Sequence, residues 1–179
     1  MTAAVLPRRE MTACPPEVLR PLFDMLAEAA SPLDLDTLSA AVGALDVTAD
    51  ALGDAINIDT AAYVRTLVFE SEHAAVFVMA WLPGQRSPIH DHAGSACAVR
   101  VVSGRGVEQK FMLNGDGTVT KQGPPSEAQA GDVVGSFDAD IHAFGNAVPA
   151  PASPRDILVT IHAYSPPLAP TRKYHERIG

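Results

Sequence analysis

The segment Ser87–Cys97, SPIHDHAGSAC, carries two histidines one residue apart, His90 and His92, and a cysteine five positions after the second. In an extended segment, residues i and i+2 project to the same side. The spacing therefore predicts two imidazoles on one strand face, with Asp91 pointing away as a solvated residue or as a hydrogen-bond acceptor beside them. Two neutral imidazoles on one face can grip a single divalent ion, although a solvated pair of strand histidines would have the same spacing. The same alternation puts Thr160, His162 and Tyr164 of TIHAY on one face, and Tyr63 and Arg65 of YVR on another. A guanidinium presented in this way can hold a carboxylate through two parallel hydrogen bonds, where the alternative is an exposed strand arginine.

These residues need elements to hold them. The first third reads as helical: PPEVLRPLFDMLAEAA places Val18, Leu19, Leu22, Phe23 and Leu26 on one stripe, with Pro21 marking a restart. SPLDLDTLSAAVGAL follows, with Ser31 or Asp34 as N-cap and Leu35, Leu38, Val42 and Leu45 on one face. A short third helix is predicted from Thr48 or Asp50 to about Ala55. From Ala61 the texture changes to short runs rich in β-branched and aromatic residues, including AAYVRTLVFE, AAVFVMAWL, ACAVRVVSG, RGVEQKFML, GDVVGSF, IHAFGNA and DILVTIHAYSP. Turn signals such as NGDG at Asn114–Gly117 separate them, and PAPASP, Pro149–Pro154, reads as a loop. Many short strands with Gly and Pro punctuation predict a sandwich or barrel.

Composition narrows the partners. The 179 residues include 13 basic and 21 acidic side chains, for a net charge of −8, which works against a nucleic-acid partner. It also provides no general field to attract an anion, so an anionic substrate must meet a specific local cation. No apolar run is long enough for a membrane helix, and Pro7, Arg8, Arg9 and Glu10 interrupt any secretory leader. A soluble, cytoplasmic protein is expected, without an obligate protein partner. Its two cysteines, Cys14 and Cys97, are then free thiols, with Cys14 incidental.

The glycines and histidines fall into a longer pattern. Gly84, His90, His92, Cys97 and Gly104, followed by Gly131, Phe137, Ala139, His142 and Asn146, resemble the paired motifs of the cupin superfamily, Gly-x5-His-x-His-x4-Glu-x6-Gly and Gly-x5-Pro-x-Gly-x2-His-x3-Asn. Every spacing matches. The departures are Cys97 for Glu, Phe137 for Pro and Ala139 for the second Gly. Cys97, the early YVR and the late HAYSPP, His162–Pro167, give a closer resemblance to the cysteine dioxygenases, spanning roughly Tyr63 to Pro167.

That resemblance implies a mainly β protein in a single cupin domain: a jelly-roll-like β-barrel over 59–179 behind a small N-terminal helical segment over 1–58. It implies one Fe(II) per chain on His90, His92 and His142, with a small thiol and O2 as substrates and L-cysteine oxidised to cysteine sulfinic acid. It further implies that Arg65 and Tyr63 bind the substrate carboxylate. Tyr164 would be a catalytic phenol oriented by His162, and a Cys97–Tyr164 thioether crosslink can form, as in some members. From the residues themselves, Cys97 is equally an ordinary buried residue or a fourth ligand in a closed zinc site. Arg65 does not separate cysteine from 3-mercaptopropionate or mercaptosuccinate. A non-oxidative metal cupin and a ligand-binding cupin also remain open, because a fold alone does not imply turnover.

Overall fold

The computed structural model describes residues 8–12, 14–137, 140–153 and 156–177. After strand β1 (Arg8–Met11) and a 3-10 turn at Glu17–Leu19, helices α1 (Arg20–Ala27), α2 (Leu35–Gly43) and α3 (Ala49–Leu52) precede nine more strands. These are β2 (Val64–Glu70), β3 (Ala75–Trp81), β4 (Ala96–Ser103), β5 (Arg105–Leu113), β6 (Val119–Lys121), β7 (Ser126–Gln129), β8 (Val133–Phe137), β9 (Ile141–Asn146) and β10 (Leu158–Ser165).

Local chemistry sets the helix ends. Pro21 sits in the first turn of α1, where its missing N–H costs nothing. Asp34, rather than Ser31, caps α2 by accepting from the Thr37 amide at 2.8 Å. Thr48 caps α3 through the Ala51 amide. Arg100 of β4 reaches the carbonyls of Gly43 and Leu45 at the end of α2, and that of Gly131.

Six strands form one sheet in the order β1-β2-β3-β10-β4-β8, and β5 pairs with β6, β7 and β9 in the other. The mainly β cupin expectation holds. Both faces of the larger sheet are covered, which explains why β3 reads as a continuous apolar run and why β10 is buried throughout even though Thr160 and His162 alternate with apolar residues. Val76, Val78, Val159 and Ile161 point to a layer formed by Leu22, Leu26, Leu38 and Val42 of the helices. Phe77, Met79, Trp81, Val99 and Tyr164 point into the barrel. Burial of each large aliphatic side chain in the helical layer contributes about 1.5–3 kcal/mol. With that layer sealing the outer face, the inner face is free to carry polar groups.

Two parts of the topology depart from the sequence reading. Within the segment expected to be helical, Arg8–Met11 is an edge strand parallel to β2. His90 and His92 lie in the loop between β3 and β4, not in a strand. His90 makes only isolated bridges to His142 and Lys173, and Ala93 and Gly94 turn the chain with positive φ of 49° and 90°. Pro88 and this turn prevent a continuous ladder.

Candidate metal centre and substrate cavity

The loop that carries His90 lies along β9, which carries His142. The Ser87 amide donates to the Phe144 carbonyl, and His90 and His142 exchange both backbone hydrogen bonds, at 2.9 and 3.0 Å. Gly145 makes this approach feasible, because a Cβ there would collide with the Gln85 carbonyl and the Arg86 Cα. His92 enters from beyond Asp91. The result brings His90, His92 and His142 together, with ring centroids 4.8–5.4 Å apart and one donor nitrogen from each within 4.8 Å of the others.

The protein also sets the ring orientations. His90 Nδ1 lies 2.9 Å from the Pro88 carbonyl oxygen. That oxygen only accepts, so Nδ1 carries the proton and Nε2 keeps its lone pair. His142 Nδ1 lies 2.6 Å from Glu108 Oε1, which fixes its tautomer in the same way. Burial, with His142 close by, pushes His90 down to about 4 and His92 down to about 3. Both rings are therefore neutral ligands near neutrality. His92 Nδ1 is buried without a hydrogen-bond partner. Three convergent imidazoles, two of them oriented through Nδ1 by a carbonyl and a carboxylate acceptor, suit a divalent first-row metal.

Among the described residues the donor cluster consists of these three histidines. Cys97 is not part of it, so the closed zinc site of three histidines and one cysteine is not formed. Burial raises the Cys97 thiol to about 12. It faces Tyr164 as a cross-strand partner, and the Tyr164 phenol, also buried, is pushed well above its ordinary value.

A cavity of about 580 Å³ opens over the three histidines. Its walls include every expected site residue: Tyr63, Arg65, Cys97, His162 and Tyr164, together with His90, His92 and His142. Arg65 lies with its guanidinium carbon 4.6 Å from the Phe77 ring centre, and its Nε is buried without a partner. Tyr63 stacks on Trp81 at 3.9 Å between ring centres, and burial raises its phenol to about 12. Trp81 Nε1 donates to Thr160 Oγ1 at 3.0 Å, which lies 3.0 Å from His162 Nε2. His162 Nδ1 is in turn 3.3 Å from Tyr164 Oη. Burial, and then Arg65, hold His162 well below its ordinary value, so this relay is neutral.

The sequence matches the family described as cysteine dioxygenase type I over residues 10–177. The chain belongs to that family. This makes it a dioxygenase-type cupin, and the three-histidine cluster is the place where the family's metal would be held. Among similar solved structures is an uncharacterized conserved protein with a double-stranded β-helix domain from Klebsiella pneumoniae. It has 19% identity and a TM-score of 0.53, covering 67% of this chain and 85% of that one. An RmlC-like cupin from Desulfovibrio desulfuricans has 22% identity and a TM-score of 0.46, covering 65% of this chain and 94% of that one. At these identities the first similarity supports the fold alone.

Sequence reasoning missed Glu108, whose contact with His142 spans 34 positions. It left Asp91 as a solvated residue or an acceptor beside the ligands. In the structure Asp91 is buried and accepts from the Arg172 amide and the Tyr174 hydroxyl. Ala139, one departure from the cupin motif, lies outside the described residues, as does Pro154 of the expected loop. Phe137, another departure, is half exposed at the end of β8. No helix among the described residues is long and apolar enough to cross a membrane.

Proposed function

We propose that the protein is an Fe(II)-dependent thiol dioxygenase that oxidises L-cysteine with O2 to cysteine sulfinic acid. The observation that carries this reading is Arg65: a guanidinium with a buried, unpartnered Nε in the same cavity as three convergent imidazoles. Held by His90, His92 and His142, Fe(II) would supply a Lewis acid that favours the thiolate and a redox centre for O2.

In the reaction the O=O bond breaks and two S–O bonds form. Sulfur loses four electrons, O2 gains them, and the thiol proton passes to the sulfinic acid or to solvent. No external reductant is needed. The chain's own residues bind and orient. Arg65 pairs with the substrate carboxylate, supplying the local cation that an acidic protein must provide, and the Tyr63 hydroxyl supports it. Trp81, Thr160 and His162 can each donate to the next group, which leaves the Tyr164 hydroxyl proton free to point at the substrate. Because burial keeps that phenol neutral, it serves as a donor rather than a base. Cys97 lies next to Tyr164, where a thioether would lock the phenol; its formation removes two hydrogens, with O2 as the oxidant.

The test is O2 uptake by the ferrous protein with cysteine, 3-mercaptopropionate, mercaptosuccinate and cysteamine side by side. Cysteine should be fastest, with one O2 consumed per sulfinate formed. Cysteamine, which lacks the carboxylate for Arg65, should be slow. A different carboxylate-bearing thiol in first place would reassign the substrate. Turnover independent of O2, or ligand binding without turnover, would replace the dioxygenase reading.

A further inference from the structure

The C-terminal segment carries no motif, yet it forms part of the cavity. Leu168, Ala169, Pro170, Thr171 and Lys173 all line it, and Leu168 packs against the aromatic cluster of the barrel interior. Next to the cavity the segment is fastened to the loop that carries the two motif histidines. Asp91 Oδ1 accepts from the Arg172 amide at 3.0 Å, and its Oδ2 accepts from the Tyr174 hydroxyl at 2.9 Å. The Tyr174 amide donates to the Ile89 carbonyl at 2.9 Å, and Lys173 bridges to His90. Beyond it, Val119 exchanges backbone bonds with His175 and Arg177. Both oxygens of one buried carboxylate, placed between His90 and His92, are thus used to hold a stretch of chain more than 80 residues away.

We propose that Leu168–Tyr174 is a strap that forms the size-selecting wall of the substrate cavity, with Asp91 and Tyr174 as the latch that positions it and Leu168 as its selecting side chain. The consequence for substrate choice rests on the dioxygenase reading. The latch itself does not. Arg172 and Lys173 make the strap testable without catalysis, since trypsin can cut after either only when the segment leaves its backbone pairing.

The experiment uses the full-length protein and its Tyr174→Phe, Tyr174→Ala and Leu168→Ala variants. Tyr174→Phe removes only the hydroxyl bond to a carboxylate, so cleavage at Arg172 or Lys173, followed by intact mass, should quicken about tenfold, and more in Tyr174→Ala. With O2 uptake as the readout, the preference for cysteine over homocysteine should fall about tenfold in Leu168→Ala, the scale of one methylene in an apolar pocket. Leu168→Met should restore it. Unchanged cleavage in both Tyr174 variants overturns the latch, and an unchanged thiol preference in Leu168→Ala overturns the selecting wall. If the wild type oxidises neither thiol, the dioxygenase reading fails. The strap is then judged on cleavage and on acrylamide quenching of Trp81, the single tryptophan and a cavity residue. Both must rise in Tyr174→Ala, and failure of either overturns the strap.

Discussion

Glu108 Oε1 and His142 Nδ1 lie 2.6 Å apart, with both side chains about 5% exposed or less. The cupin motif places a glutamate at the position that Cys97 occupies, where it would add a negative ligand. Here the carboxylate stands one step further out, on β5, and acts through the imidazole. It fixes the orientation of the His142 ring, while leaving space over the metal site for an anionic substrate.

Removing that carboxylate should weaken metal binding without unfolding the barrel. Glu108→Ala leaves a buried Nδ1–H unpaired, and metal affinity should fall about 10–100-fold. Glu108→Gln retains an acceptor and should lose less. Competition with a chromophoric chelator measures both, and an unchanged affinity in Glu108→Ala would show that His142 is oriented by its backbone alone.

Arg65→Ala should raise KM for cysteine by roughly tenfold or more, through loss of a charge-assisted pair, with a smaller effect on kcat. Arg65→Lys should recover only part, since a point charge cannot reproduce the fork. Steady-state O2 uptake separates the two parameters. An unchanged KM would remove Arg65 from the site.

What the sequence disclosed follows from how local each signal is. Asp34 and Thr48 announce helix starts because a cap lies three residues from its partner. β3 announces itself by an apolar run buried on both faces. Thr160, His162 and Tyr164 share a face simply because strands alternate. Arg8–Met11 and Ser126–Gln129 gave no such signal, since RREM and SEAQ are polar and are held by the backbone of a neighbouring strand. The convergence of His90 and His92 was correctly expected for a partly wrong reason. They meet in a loop pinned to β9 rather than along a strand. Glu108 and the strap remained hidden because each acts across the fold, where no spacing rule reaches.

The buried imidazoles give the metal-free protein a defined acid sensitivity. For His90, His92 and His162 the folded value lies below the unfolded value of about 6.5, so the unfolded chain takes up protons first. Stability is full above about pH 6.5 and declines as the pH falls towards about 4, by roughly 1.4 kcal/mol per pH unit for each ring. Urea unfolding of the apoprotein at several pH values measures the slope. His162→Gln should reduce it, and a slope unaffected by that change would mean that His162 is not buried in its neutral form.

Gly145→Ala should separate the barrel from its metal site. The added methyl collides with the backbone of Gln85 and Arg86, a strain of about 1–3 kcal/mol that is relieved if the segment leading to His90 moves off β9. Strand content by circular dichroism should persist while metal affinity falls. Retention of wild-type affinity would mean that the loop is positioned by Asp91 and the C-terminal segment rather than by Gly145.

The pairing of Cys97 with Tyr164 leads to a mass measurement. The two side chains are opposed across β4 and β10, both buried; burial raises the thiol to about 12, and Cys97 lies outside the three-histidine donor cluster. A thioether from sulfur to the phenol ring would lower the intact mass by two hydrogen atoms, and reductant would not restore them, whereas it would restore a disulfide. Protein matured with iron, O2 and cysteine should therefore contain a denaturation-resistant species lighter by that amount, absent in Cys97→Ser and Tyr164→Phe. If the matured protein keeps its full mass, Tyr164 is held by His162 and packing alone, and Cys97→Ser should then leave kcat close to wild type.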